Sequence, residues 1–120
     1  MYYDSISFKS MESGLAALNI KQKVHTQNIA NIDTPDYKAK EYSFKNVLEN
    51  EKAKDGKVKY SFQSNIYNDK NSILVDGNSV DIDKESLELY STFVQSSAVI
   101  QKINAQFADY RYVLTQSNFK

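Results

Sequence analysis

No cysteine occurs in the 120 residues, which excludes disulfides, a thiolate nucleophile and a cysteine-ligated zinc site. Glycine is held to three residues and proline to one, leaving little for the glycine-rich loops that cradle phosphates. The only histidine, His25, has no second histidine with which to build a metal cluster. Basic and acidic side chains balance at 15 each, so no overall field draws the chain to nucleic acid or to an anionic membrane. No apolar run approaches the roughly 20 residues that a membrane span needs. GxSxG, HExxH, P-loop and dinucleotide fingerprints are missing, and no catalytic residue, cofactor-binding residue or metal ligand is assigned. The reading is of a non-enzymatic chain with one modest core.

Two long helical periodicities bracket the sequence. Phe8, Met11, Leu15, Leu18, Gln22, His25, Ile29 and Ile32 follow each other at steps of three and four, the a/d spacing of a helix packed along a seam. Ser5 and Ser10 are the candidate N-caps, and Pro35 is expected to close the helix by pushing Thr34 out of the α region. His25 falls in the apolar seam beside Gln22 and reads as a packed or register-setting polar residue. A second helix starts at Asp81 or Asp83, with Glu85 and Glu88 suiting the positive end of its dipole. Its stripe is Leu89, Phe93, Ser96, Ile100, Ile103, Phe107, Tyr110 and Leu114.

Between the helices the period changes. Tyr42 and Phe44 alternate with polar neighbours, as do Val58, Tyr60 and Phe62, and Ile73 to Val75 form a short apolar run. Short strands joined by turns are predicted, with ENEKAKDGK as an exposed loop or hairpin tip. The stretch DGNSVDIDKESL invites comparison with a calcium loop, but Asp81 stands where the glycine belongs and Leu87 where the bidentate glutamate belongs. The fold class is therefore mainly α with a small β-rich middle, its long N- and C-terminal amphipathic helices packing as a coiled-coil-like pair. Residues 1–34 form an N-terminal assembly helix, 35–82 the β-rich body and 83–120 a C-terminal assembly helix, the two helices making one terminal domain.

Neither helix is apolar on one side only. Val94, Ala98, Ala105, Ala108 and Tyr112 lie opposite the large stripe of the second helix, and Ala17, Ile20 and Val24 lie opposite that of the first. A helix apolar on two sides is normally buried on two sides, so the expectation is partners in a polymer or multi-chain assembly. The alternative is that the β-rich middle folds back over those faces.

The stretch Ala30-Asn31-Ile32-Asp33-Thr34-Pro35-Asp36-Tyr37 closes the first helix. Its short polar side chains can bond backbone groups freed at a helix end, and Tyr37 offers a large anchor just past the turn. The pattern resembles the A-N-x-x-T-x-G-[Y/F] signature of the bacterial flagellar axial proteins, the rod, hook and hook-associated family. The resemblance covers the whole chain, and the short middle and the C-terminal stretch look most like proximal basal-body rod proteins. It departs at Asp36, where the family often has glycine; aspartate tolerates the left-handed region better than most residues.

The resemblance implies a structural subunit that leaves the cell through the type III export channel without a cleaved signal and polymerises in the periplasmic rod of the basal body. Ala30, Asn31, Thr34, Pro35 and Tyr37 would then be the assembly motif. Leu15, Leu18, Ile29, Phe93, Ile100, Ile103, Phe107, Tyr110 and Leu114 would be the helix interface. Implied partners are further copies, other rod proteins, the rod-base adaptor, the basal-body ring and the export gate, with no nucleic acid and no membrane span. The rival reading from another class is a cytosolic coiled-coil adaptor that forms a small oligomer; the joint motif at Asn31 to Tyr37 and the size of the chain in solution separate the two, and within the family another type of rod protein (FlgC-type) is the nearest competitor.

Overall fold

The computed structural model describes residues 6–49, 59–68, 78 and 80–117. The order of elements is α1 (Ile6–Ala30), β1 (Lys40–Glu49), β2 (Lys59–Asn68) and α2 (Ile82–Ser117). Mainly helical, it has two long helices packed on each other and a small two-stranded antiparallel sheet between them in sequence. Ser5, the ENEKAKDGK stretch from Asn50 onward and the Ile73 to Val75 run lie outside the described residues.

α1 stops at Ala30, four residues before the expected boundary at Thr34. Local hydrogen bonding decides this before Pro35 can. The Asn31 side chain donates to Gln27 O at 2.8 Å and the Thr34 hydroxyl donates to Asn31 Oδ1 at 3.1 Å. The backbone tightens at the same point, with Ile32 N donating to Ile29 O at 3.2 Å. Such side-chain bonds offer the backbone an alternative to the helical ladder. α2 begins after Asp81, whose carboxylate accepts from Asp83 N at 3.0 Å and Lys84 N at 3.3 Å. That is N-cap geometry, and it resolves the choice between Asp81 and Asp83.

The helices run antiparallel. Lys21 Nζ meets Glu88 Oε2 at 3.1 Å near one end, and the Phe8 and Phe107 rings meet edge-on at 5.7 Å near the other. In the sheet Lys40 pairs with Asn68 and Glu49 with Lys59. The hairpin lies on α1, where Tyr42 packs with Ala17 and Val24 to form the largest buried apolar cluster among the described residues. Phe44 adds to it, its ring 6.0 Å from that of Tyr42. The second apolar face of α1 is thus covered by the body at Ala17 and Val24, as the fold-back alternative has it, while Ile20 stays exposed.

α2 differs. Its packing seam is Glu85, Leu89, Thr92, Ser96, Val99, Ile103, Gln106 and Tyr110, all buried or half-buried. The seam takes Thr92 and Val99 rather than their neighbours Phe93 and Ile100, which point outward. An apolar column through Phe93 and Ile100 stands beside a more polar one through Glu85, Thr92, Val99 and Gln106, and α1 settles on the second. The molecule spans 72 × 36 × 15 Å. An α-helix with its side chains is about 10–12 Å across, so a body this thin buries little and leaves large apolar side chains outside.

Candidate assembly joint and interface

Asn28 sits two residues before the end of α1, fully buried. Its Nδ2 donates to Lys40 O at 2.7 Å while its Oδ1 accepts from Lys40 N at 2.9 Å. A side-chain amide thereby imitates a strand neighbour and fixes where β1 begins. Tyr37 reaches back across the turn and donates its hydroxyl to the same Oδ1 at 3.1 Å. Burial raises the Tyr37 phenol above its ordinary range, and the Glu85 carboxylate adds to the rise. Both effects favour the protonated phenol that this bond requires.

Asn78 clamps the other side of the joint. Its buried Nδ2 lies 3.0 Å from Asn31 O, 3.0 Å from Ile32 O and 2.7 Å from Thr34 O. Its Oδ1 accepts from Val80 N at 2.8 Å, so one side chain ties the end of α1 to the approach of α2. Between these carbonyls and Tyr37 the chain turns through Asp36, the only described non-glycine residue with positive φ, at 60°. Here aspartate occupies the left-handed conformation that glycine would adopt without steric cost.

One helical turn deeper, His25 Nδ1 lies 2.6 Å from Glu85 Oε2 and both side chains are buried. The contact is a buried side-chain hydrogen bond between residues 60 apart in sequence, joining the two helices. His25 Nε2 is buried with no partner among the described residues. Beside the pair opens a cleft of about 300 Å³ whose lining includes His25, Tyr42, Phe44 and Tyr67. Two ion pairs also line it, Lys21 with Glu88 and Lys84 with Glu41 at 2.6 Å.

Of the residues singled out as the joint motif, Asn31 and Tyr37 are half-buried and bonded into this network, while Ala30, Thr34 and Pro35 are exposed. Among the helix residues Leu18 is buried, and Leu15, Ile29, Ile103, Phe107 and Tyr110 are half-buried. Phe93, Ile100 and Leu114 are 60%, 45% and 47% exposed. With Phe107 they form a column at intervals of seven residues, flanked by exposed Tyr90 and Val94. The sequence reading did not pick out Asn28, Asn78 or Thr92, and it took Glu85 for helix-start chemistry. For Asn28 the available signal was its position on α1 between His25 and Asn31, where three polar residues interrupt an apolar face.

The described residues thus leave an apolar column exposed on α2, beside a hydrogen-bonded joint at the end of α1. Comparison with known proteins identifies the family. A family profile described as "Flagella basal body rod protein" matches residues 8–38. The flagellar basal body rod protein FlgB of Bacillus subtilis is 36% identical over 91% of this chain and 93% of its own. That of Buchnera aphidicola is 30% identical over 82% of this chain and 88% of its own. The chain belongs to the flagellar basal body rod protein family. A structural rod subunit is the function this supports, and the cytosolic adaptor is not favoured. No described helix is long and apolar enough to cross a membrane.

Proposed function

We propose that the chain is a structural subunit of the proximal rod that polymerises through its terminal helices after passing the type III export channel without a cleaved signal. Residues 1–34 and 83–120 act as the assembly domain and 35–82 as the body. Neighbouring copies, other rod proteins, the rod-base adaptor, the basal-body ring and the export gate are its partners. The carrying observation is the outward column of Phe93, Ile100 and Leu114, which no described residue covers. Contiguous exposed apolar surface of this kind marks an interaction site. The joint at Ala30, Asn31, Thr34, Pro35 and Tyr37 contributes indirectly, by fixing how the hairpin stands on the helix that carries it. No catalytic role is included.

Because Phe93 is exposed, Phe93→Asp should leave the fold intact and act on assembly alone. The test expresses Phe93→Asp in a strain lacking the native gene and follows swimming and the content of purified hook-basal bodies by mass spectrometry. The expected result is a soluble helical protein, absent from basal bodies, in non-motile cells. Wild-type incorporation of the variant would overturn the proposed face.

A further inference from the structure

The column Phe93, Ile100, Phe107, Leu114 repeats every seven residues with an apolar side chain at each position. Phe8 packs on Phe107. A slide of one heptad along α2, about 10 Å at 1.5 Å per residue, would bring Phe8 opposite Leu114 or Ile100 and preserve an apolar contact. The other large apolar side chains of the seam also recur in heptads, interrupted at Gln22 and Ser96. Phe8, Leu15 and Ile29 recur at sevens or fourteens on α1, as do Leu89, Ile103 and Tyr110 on α2. Apolar packing by itself therefore leaves the register of the helix pair underdetermined.

Polar contacts do not share this degeneracy. His25 has a partner only where Glu85 stands, since a slide that brings Phe8 to Leu114 brings His25 to Thr92 in an antiparallel pair. Thr92 already donates its hydroxyl to Glu88 O at 2.8 Å within its own helix. The opposite slide carries His25 beyond the start of α2 at Ile82. Asn78 adds a second stop, because its carbonyl partners on Asn31, Ile32 and Thr34 are fixed in the joint. Buried polar pairs are best attested as devices that specify register rather than as sources of stability.

We propose that the His25–Glu85 pair, backed by Asn78, is the register lock of the helix pair, the positioning element that decides which heptad of α2 stands against α1 and hence where the exposed column sits relative to the hairpin. The lock acts within the isolated chain and is independent of the assembly face.

The absence of native cysteine allows a direct test. Phe8→Cys is combined with Ile100→Cys, Phe107→Cys or Leu114→Cys in turn and treated at high dilution with a bifunctional thiol reagent whose span is shorter than the roughly 10 Å slide. Monomeric crosslinked product is then measured alongside helicity by circular dichroism. With the lock intact, only the 8/107 pair should crosslink efficiently; comparable 8/100 or 8/114 product would overturn the proposal without any lock variant having to fold. Moving the lock provides the second arm, in which Glu85→Thr, Thr92→Glu and Asn78→Ala are combined. The 8/114 product should then dominate by about tenfold over 8/107. Retention of 8/107 as the main product in a variant that keeps its helicity would show that the pair does not set register and would overturn the proposal.

Discussion

Replacing Asn78 with alanine removes four contacts at once. Three backbone carbonyls at the end of α1 lose the Nδ2 donor at 2.7–3.0 Å, and Val80 N loses its acceptor at 2.8 Å. A net hydrogen bond is worth about 1 kcal/mol, and a buried group left unsatisfied costs about 1–3 kcal/mol. Thr34 is exposed, so water can replace the donor at its carbonyl, whereas Val80 is buried and its amide has no such recourse. The expected loss is therefore about 3 kcal/mol, below the sum of four independent bonds because the three carbonyls share one amino group. For a domain of this length that corresponds to a fall of roughly 10 °C in Tm. Urea unfolding followed by circular dichroism gives the free energy, and Asn78→Asp supplies the control. Aspartate keeps an acceptor for Val80 but, when ionised, turns a carboxylate oxygen toward the three carbonyls, so it should cost at least as much as alanine despite its near-identical shape. A change below about 1 kcal/mol in the alanine variant, or an aspartate variant as stable as the parent, would refute the clamp.

Two further outcomes follow from the joint. Asp36→Gly should be neutral or stabilise the fold by up to about 1 kcal/mol, whereas the β-branched Asp36→Val should destabilise it by about 1–2 kcal/mol, because φ is +60°; thermal melts compare the three, and a stable valine variant would contradict the backbone assignment. Tyr37 has its folded pKa raised above the ordinary value of 10.0, so its contribution is fully present below that pH and is lost as pH rises through the folded value. Stability measured between pH 9 and 12 should accordingly fall less steeply in Tyr37→Phe than in the parent, and equal slopes would count against the buried phenol.

Much of the architecture could be read before any coordinates. The three-and-four spacing marked both helices, and alternation around Tyr42 and Phe44 marked a strand with one buried face. What periodicity could not decide was which of two adjacent columns on α2 meets α1. Phe93 and Ile100 have the greater hydropathy, yet Thr92 and Val99 form the seam, because the contacts of Glu85 and Asn78 with residues far away in sequence fix the approach. Such pairings leave no trace in a hydropathy pattern. The joint was legible as a helix stop but not as a network, for the same reason: Asn78 and Thr34 are 44 residues apart. The left-handed turn was legible, since a position at which the resemblance calls for glycine carries a residue that tolerates positive φ.

A plate only 15 Å deep has another consequence. When neighbours complete the burial of its apolar side chains, folding becomes a property of the protein at a given concentration rather than of one chain, and the midpoint of unfolding rises with occupancy of the contact faces. A copy that finds no place spends more of its time open and within reach of proteases. On the proposed assembly, excess subunits would then be cleared more quickly than seated ones, so that the geometry of one chain would help to set how many copies persist.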